Sequence, residues 1–161
     1  MSRVRGWLMA SLRAMRHPHE VLDVLRAGAA MRHALRELRD APTGSLADFE
    51  ASANASVVKE RLPRDLAHEA RRWARAVQRA QRVGPWRGAC LARSLALHRL
   101  LEANGIVGSR VCVGVQGAVT GFAAHAWVEV AGTVFGDRPG VAQLWAPLAT
   151  GQSQTIIGAA R

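Results

Sequence analysis

The sequence predicts an α+β fold in which a helical N-terminal region precedes a core with a small antiparallel sheet. Residues 1–82 repeat apolar side chains at helical spacing, whereas from Val83 onward glycine becomes more frequent and apolar residues alternate with polar ones. Between the two patterns lies one almost wholly apolar helix. With 161 residues, 49% of them apolar, the chain can form one domain with a sizeable core. We divide it into a helical N-terminal region, residues 1–82, and a core, residues 83–161.

The N-terminal region predicts amphipathic helices with arginine-rich outer faces. In chain order their sequences are "GWLMASLRAM", "PHEVLDVLRAGAAMRHALRELRD", a short "LADFEAS" and "LPRDLAHEARRWARAVQRAQRV". The second has Pro18 and Glu20 in its first turn, as helix starts do, and the break "APTGS" follows it. If this region serves docking, we expect the exposed arginines to include some of Arg71, Arg72, Arg75 and Arg79.

The formal net charge of +10 lies mainly in the helical region, which has 16 basic and 9 acidic side chains. Such a surface attracts nucleic acid, anionic lipid or acidic peptide alike. Because no aromatic residues interleave the arginines in a nucleic-acid motif, we do not expect nucleic acid as a partner. The first helix has an amphipathic pattern that would suit a membrane surface, but packing on the rest of the fold is the favoured interpretation.

The compartment is predicted from the absence of membrane and secretion signals. No apolar span of about 20 residues occurs, and Arg13 and Arg16 interrupt the stretch where a signal peptide would be apolar. The two cysteines, Cys90 and Cys112, do not make a disulfide framework. We therefore expect a cytoplasmic protein with free thiols.

In the core, the apolar helix runs from about Ala89 to Ala103 and is stopped by Asn104-Gly105. Its polar positions are scattered, which predicts burial on most sides. The strands that follow are "SRVCVGVQG" and "HAWVEVAGTVFGD", joined by glycine-containing turns, with a further strand at "SQTIIGA".

Cys90 stands in the first turn of this helix, where no Ser, Thr, Asp or Asn is available as a cap. The free N–H groups and the positive end of the helix dipole favour a thiolate, the nucleophilic form of cysteine. Gly84 and Gly88 leave room for a substrate backbone to approach. From the helix alone, a small buried thiol that packs like alanine remains the alternative.

His125 lies on a strand face that also presents Trp127 and Glu129. After this strand the chain turns at Gly132. We expect a three-residue loop, residues 130–132, because it requires only Gly132 to be left-handed. In that register His125 opposes Asp137, whose carboxylate would fix the imidazole tautomer and stabilise the imidazolium.

The other polar and aromatic candidates are weighed against structural roles. Trp86 and Trp127 would wall a substrate groove, or lie in the core. Glu129 would bind a substrate group, although a solvated strand residue is the favoured interpretation. Cys112 and His98 read as packed side chains. A zinc site from these cysteines and histidines would need ligands from separated elements without a short ligand pair, so we expect neither a metal nor another cofactor.

The order cysteine on a helix, histidine on a strand and aspartate at the end of the next strand is that of transglutaminase-like and papain-like cysteine enzymes. More narrowly, "WRGACLARSLAL" followed by "HAWVEVAGTVFGD" resembles the leader peptidases of lasso peptide biosynthesis, the B proteins of the transglutaminase-like family. The resemblance is close over about residues 83–148. Family members often have an acidic pair where this chain has "GDRPG", so Asp137 alone would serve.

The resemblance implies a papain-like core and a Cys90, His125 and Asp137 triad that cuts the leader from a ribosomally made precursor peptide. It also implies a separate leader-recognition protein and an ATP-dependent cyclase that closes the macrolactam ring. Two other functions remain open: acyl transfer to an amine, as in true transglutaminases, and non-catalytic peptide binding or assembly.

Overall fold

The fold is given by a computed structural model that describes residues 18–40, 61–84, 89–118 and 121–147. The helices predicted at "GWLMASLRAM" and "LADFEAS" and the strand predicted at "SQTIIGA" lie outside these residues. Within them, four helices and four strands occur, and their bounds are α1 Pro18–Asp40, α2 Arg64–Val83, α3 Cys90–Ala103, β1 Ser109–Ala118, β2 Gly121–Val130, β3 Thr133–Phe135, α4 Val141–Leu144 and β4 Ala146–Pro147.

The strands form one antiparallel sheet in the order β3-β2-β1-β4. The predicted α+β class, with helices first and a small antiparallel sheet after them, is confirmed. None of the helices in the four described ranges is long and apolar enough to cross a membrane.

The long helices α1 and α2 pack on each other and on α3 through narrow stripes. The stripe of α1 contains Ala27, Met31 and Ala34, and that of α2 centres on Trp73 and Val77. These positions recur every three or four residues, which places them on one face of each helix. Most of the remaining buried residues in both helices are alanines, and their small side chains allow the helices to approach closely.

Helix α3 lies between the two long helices and the sheet. Its predicted burial is confirmed, since both Leu95 and Leu101 are almost fully enclosed. Its predicted end is confirmed as well, because Gly105 is left-handed with φ 75°. The Gly105 and Ile106 N–H groups donate to the Glu102 and Leu101 carbonyls at 3.0 and 2.9 Å, which is the Schellman arrangement.

One hydrophobic cluster joins the helices to the sheet. It includes Met31 of α1, Trp73 of α2, Leu97 of α3 and both Val128 and Phe135 of the sheet. Helix α3, which bears Cys90, is thus held on one side by α1 and α2 and on the other by the hairpin of β2 and β3. The division of the chain after residue 82 stays a prediction.

The β2–β3 hairpin differs from the sequence-based expectation. Val130 pairs with Thr133, so the turn has two residues and not three, and both Ala131 and Gly132 have positive φ, 48° and 74°. The predicted register was wrong by one residue. The physical reason is burial: in the observed register Val128 opposes Phe135, so that Phe135 reaches the core, whereas the predicted register would turn it to the opposite face. The left-handed Ala131 costs about 1–2 kcal/mol.

Two ion pairs join α1 to α2. The buried carboxylate of Asp23 accepts two hydrogen bonds from Arg72, at 2.6 and 2.8 Å, and Glu20 accepts one from Arg79 at 2.7 Å. Arg72 and Arg79 therefore join the helices and are the two of the four candidate arginines that are not free for docking. Arg71 and Arg75 are exposed.

We predict that Asp23→Ala lowers the free energy of unfolding by about 1–3 kcal/mol, because it removes a buried bidentate acceptor while Arg72 keeps access to water. Glu20→Ala removes an ion pair whose two side chains are about one third exposed, and it should lower the free energy of unfolding by no more than about 1 kcal/mol. Urea unfolding of the two variants measures the difference. Equal losses of stability would show that the buried ion pair contributes no more than the exposed one.

Candidate active site

Cys90 is the first residue of α3, preceded by Ala89, which has no side-chain acceptor for the first N–H groups of the helix. The thiol is half-buried. The predicted uncapped N-terminus is thus confirmed, and Cys90 lies where the free N–H groups and the helix dipole favour negative charge. Gly88, which was predicted to leave room for a substrate backbone, lies outside the described residues.

His125 and Asp137 form a hydrogen bond of 2.7 Å between Nε2 and Oδ2. Both side chains are largely buried, with 22% and 13% of their surface exposed. Because Nε2 is engaged by the carboxylate, the proton of a neutral His125 lies on Nε2 and the Nδ1 atom is the free acceptor. Nδ1 has no hydrogen bond within the described part of the chain.

The two residues meet by a different route from the predicted one. Strand β3 ends at Phe135, and in the observed register Asp137 does not oppose His125 across a ladder. Gly136 follows with φ 75°, a left-handed conformation that turns the chain. A Cβ atom at this position would lie 2.7 Å from Leu97 Cδ2. The turn at Gly136 therefore brings the Asp137 carboxylate back to His125.

Arg93 connects Cys90's helix to this pair. Its Nη2 atom donates to Asp137 Oδ2 at 2.7 Å and to the Ala126 carbonyl at 3.4 Å. Residues three apart on a helix share a face, so Cys90 lies one turn from Arg93 on the same face of α3. Sequence analysis missed this role, although a charged residue three positions after the cysteine in an apolar helix was the available signal.

The Asp137 carboxylate has a third donor, since Oδ1 accepts the Arg138 backbone N–H at 2.8 Å. Burial alone would raise the pKa of Asp137, but the hydrogen bonds from Arg138 and His125 and the charge of Arg93 outweigh it and the pKa is lowered. Asp137 is therefore ionised at neutral pH. The stability contributed by these contacts is present above the ordinary carboxyl pKa and is lost as the pH falls through the lowered value.

Two tryptophans flank the imidazole. The ring of Trp145 stacks on His125 at 5.3 Å between centroids, and that of Trp127 lies at 6.4 Å. Both side chains crowd Gly114 of β1, where an added Cβ would lie 2.5 Å from Trp145 Cβ and 3.0 Å from the Trp127 ring. For Trp127 the sequence left a groove wall and the core equally open, and the side chain is buried with 4% of its surface exposed. Trp145 was not predicted, because nothing in the local sequence indicates that it packs against His125.

Glu129 shares the sheet face of His125 but is bound within the sheet. Its oxygens accept hydrogen bonds from Trp127 Nε1 at 2.8 Å and Arg110 Nη2 at 2.6 Å, and only 8% of the residue is exposed. The favoured sequence-based interpretation, a solvated side chain, was wrong. Burial would raise the pKa of Glu129, but the two hydrogen bonds and the Arg110 charge lower it. Its predicted contact with substrate stays a prediction. Trp86 lies outside the described residues.

The second thiol and His98 have structural surroundings. Cys112 pairs with Trp127 across the sheet, and burial, followed by the charge of Glu129, raises the pKa of Cys112 to about 12. Such a thiol is a poor nucleophile at neutral pH. His98 Nδ1 lies 2.7 Å from Ser109 Oγ. Within the four described ranges no three His, Cys, Asp or Glu side chains form a group that could hold a metal.

Comparison with known proteins identifies the family. Residues 2–150 match the family model of the Transglutaminase-like superfamily. No curated protein and no solved structure matches the chain significantly. The matched region contains all of α1 to β4, and with them Cys90, His125 and Asp137. The chain therefore belongs to the transglutaminase-like superfamily, whose members are usually cysteine-dependent enzymes.

Proposed function

We propose that the protein is a cysteine peptidase that removes the leader from a ribosomally made lasso peptide precursor before macrolactam cyclisation. The observation that carries the proposal is the Asp137 carboxylate, which binds His125 and also binds Arg93 one turn from Cys90. A nucleophile, a base and an orienting carboxylate are thus provided by α3, β2 and the loop after β3. The narrower assignment to lasso peptides rests on the resemblance of "WRGACLARSLAL" and "HAWVEVAGTVFGD".

In the proposed reaction, His125 Nδ1 takes the proton of Cys90, and the thiolate attacks the carbonyl carbon at the leader–core junction. The tetrahedral intermediate collapses to a thioester as His125 delivers the proton to the departing amine of the core peptide. His125 then removes a proton from water, whose oxygen attacks the thioester carbonyl; the C–S bond breaks, the leader leaves as a carboxylic acid, and His125 returns the proton to the departing Cys90 thiolate. Each proton that His125 accepts is thus returned within the same cycle.

The surrounding groups stabilise the charges that this reaction develops. Asp137 keeps the His125 proton on Nε2 and stabilises the imidazolium. The Cys90 backbone N–H, which belongs to the first turn of α3, is the proposed donor to the oxyanion. A donor of this type is worth about 3–4 kcal/mol in the transition state. Trp127 and Trp145 exclude water from the stacked faces of His125.

Acyl transfer to an amine is the second candidate, since the superfamily match supports it equally. The same Cys90 thioester would then react with a lysine amine in place of water, and the product would be a cross-linked peptide. A non-catalytic binding protein is less well supported, because it would have no need for the buried contact between His125 and Asp137.

The proposed partners follow from the peptidase assignment. The precursor peptide is the substrate, a separate recognition protein binds its leader, and an ATP-dependent cyclase receives the released core. All of these would operate in the cytoplasm, where the precursor is made and where both thiols stay reduced.

Mass spectrometry of a reaction with a lasso precursor peptide, with and without its recognition protein, tests the proposal. A leader fragment that gains one water and a free core amine support peptidase activity. A leader joined to an added amine supports acyl transfer, and intact precursor under all conditions would reject both enzymatic functions.

Replacing the proposed nucleophile should abolish processing and leave the fold intact. We expect this for both Cys90→Ala and Cys90→Ser, because a small side chain fits the first turn of α3 but provides no thiolate. Cys112→Ser is the matched control and should retain most of the activity, since its buried thiol is protonated at neutral pH. Precursor cleavage and circular dichroism measure both effects. Cleavage by either Cys90 variant would contradict the assignment.

Removing the charge of Asp137 should slow turnover without unfolding the protein. Asp137→Asn keeps the shape of the side chain but no longer stabilises the imidazolium, which costs about 10⁴-fold in serine proteases. We expect a smaller loss of roughly 10- to 10³-fold, because the helix terminus also stabilises the Cys90 thiolate. Single-turnover rates and melting temperatures provide the test. Glu129→Gln is the control, and a larger loss there would transfer the orienting role to Glu129.

Arg93 should act as a positioning residue through Asp137. We expect Arg93→Met to slow turnover roughly 10- to 100-fold, the value of a charge-assisted hydrogen bond of about 1.5–3 kcal/mol. A single nitrogen of Arg93, Nη2, makes the contacts with both Asp137 and the Ala126 carbonyl. Arg93→Lys, which also offers one nitrogen, should therefore retain much of the rate that Arg93→Met loses. The pH dependence of Cys90 alkylation by iodoacetamide gives an independent readout. An unchanged profile in Arg93→Met would limit Arg93 to a structural role.

A further inference from the structure

A groove of about 630 Å³ lies between α1 and the last turn of α2, away from the cysteine site. Its volume falls within the range of about 300–1,000 Å³ that is typical of ligand pockets. The apolar part of its lining comes from both helices and includes Val24, Leu25, Leu35, Ala80 and Val83. It is therefore a concave apolar surface with walls from two separate elements.

Two of these apolar side chains are unusually open to solvent. Leu25 on one wall is 63% exposed and Val83 on the other is 82% exposed. Neighbouring positions Val21 and Leu22 on α1 extend the exposed apolar surface. Clusters of this kind on a protein surface mark binding sites, whereas single exposed apolar residues do not.

All the charged residues that line the groove are arginines, namely Arg32, Arg36 and Arg39. None of the three has a hydrogen bond or an ion pair with any residue that the structure describes. Of the acids next to them on α1, Glu37 is bound to Arg99, and Asp40 has no ion pair with a described residue. The groove thus combines an apolar floor with a rim of three arginines that make no ion pair with the described residues.

We propose that this groove binds an acidic, amphipathic segment of the peptide substrate, outside the bond that is cleaved. The segment would place its apolar face on Leu25, Leu35 and Val83 and its carboxylates beside the rim arginines, as amphipathic helices do in other apolar grooves. The proposal rests on the cysteine peptidase function and specifies where that enzyme holds its substrate. A flat anionic membrane fits less well, because the apolar side chains line a concavity.

The position of the groove along the chain connects it to the nucleophile. Its end at Gly84 is six residues before Cys90, a separation that spans at most about 22 Å. A peptide that leaves the groove at this end can therefore reach Cys90 through a short extended stretch. Binding at the groove would fix the distance between the recognised segment and the cleaved bond.

Gly28 provides a way to close the groove without disturbing the helix. It lines the groove in the middle of α1, and a Cβ atom added there meets nothing within 4 Å. The side chain of Gly28→Leu would therefore enter the open space between the walls. Leucine also has a higher helix propensity than glycine, so the variant should fold at least as well as the parent chain.

The experiment measures binding separately from cleavage, in the full-length Cys90→Ala chain. The probe is a fluorescein-labelled synthetic peptide of about four helical turns, with leucines at helical spacing and glutamates elsewhere. A matched peptide with lysine in place of glutamate is the charge control. Fluorescence anisotropy at low and high salt gives the affinities.

We expect the acidic peptide to bind at least roughly tenfold more tightly than the basic one, and more weakly as salt rises. Gly28→Leu and the double variant Arg32→Glu with Arg36→Glu should each weaken binding by roughly tenfold or more. Arg71→Glu with Arg75→Glu carries the same charge change on exposed positions outside the groove lining and should leave binding unchanged.

Several outcomes would overturn the proposal. Equal binding of the acidic and basic peptides, or binding that Gly28→Leu does not alter, would remove the groove as the site. A lower melting temperature of Gly28→Leu would show that another part of this chain occupies the groove. Binding of the chain to anionic vesicles but not to the peptide would assign the groove to a membrane. Binding of the chain to the recognition protein but not to the peptide would assign the groove to that partner.

Failure of the peptidase function gives a different result. If the precursor is never cleaved but the acidic peptide binds with the predicted dependence on Gly28 and the arginines, only the enzymatic assignment fails. If cleavage occurs and the groove variants process the precursor at the parent rate, only the groove proposal fails.

Discussion

The arrangement of the site depends on one carboxylate. Asp137 accepts hydrogen bonds from β2 through His125, from α3 through Arg93 and from its own loop through the Arg138 backbone N–H. Each donor belongs to a different element, so this one group sets how the helix that bears Cys90 lies against the strand that bears His125. The three contacts together outweigh the cost of burying the charge, which is why the pKa of Asp137 is lowered.

Much of the fold follows from periodicity. The helices α1 and α2, the buried α3 and the hairpin were predicted from spacing and glycine positions, because these patterns act locally or over one turn. The closeness of His125 and Asp137 was also predicted, although from a register that was wrong. The register depends on which face Phe135 occupies, and that choice is made by the core of α3 and the sheet, which local sequence does not specify.

The residues that sequence analysis missed are those whose role depends on packing between distant elements. Arg93 reaches Asp137 across 44 positions, and Trp145 stacks on His125 only because β4 pairs with β1. Glu129 was expected in solvent because its strand alternates, yet Arg110 and Trp127 provide partners that make burial favourable. Alternation identifies a face of a strand, but it does not say whether a second layer covers that face.

Gly136 has a consequence for comparing this chain with natural variants. Its left-handed φ of 75° strains any residue that has a side chain, and a Cβ at this position would lie 2.7 Å from Leu97 Cδ2, which would have to move. A homologue could keep cysteine, histidine and aspartate in order and still misplace the aspartate if this glycine were replaced. Glycine immediately before the aspartate, taken together with the cysteine, the histidine and the aspartate, is therefore a better marker of a relative that shares this arrangement than those three residues by themselves.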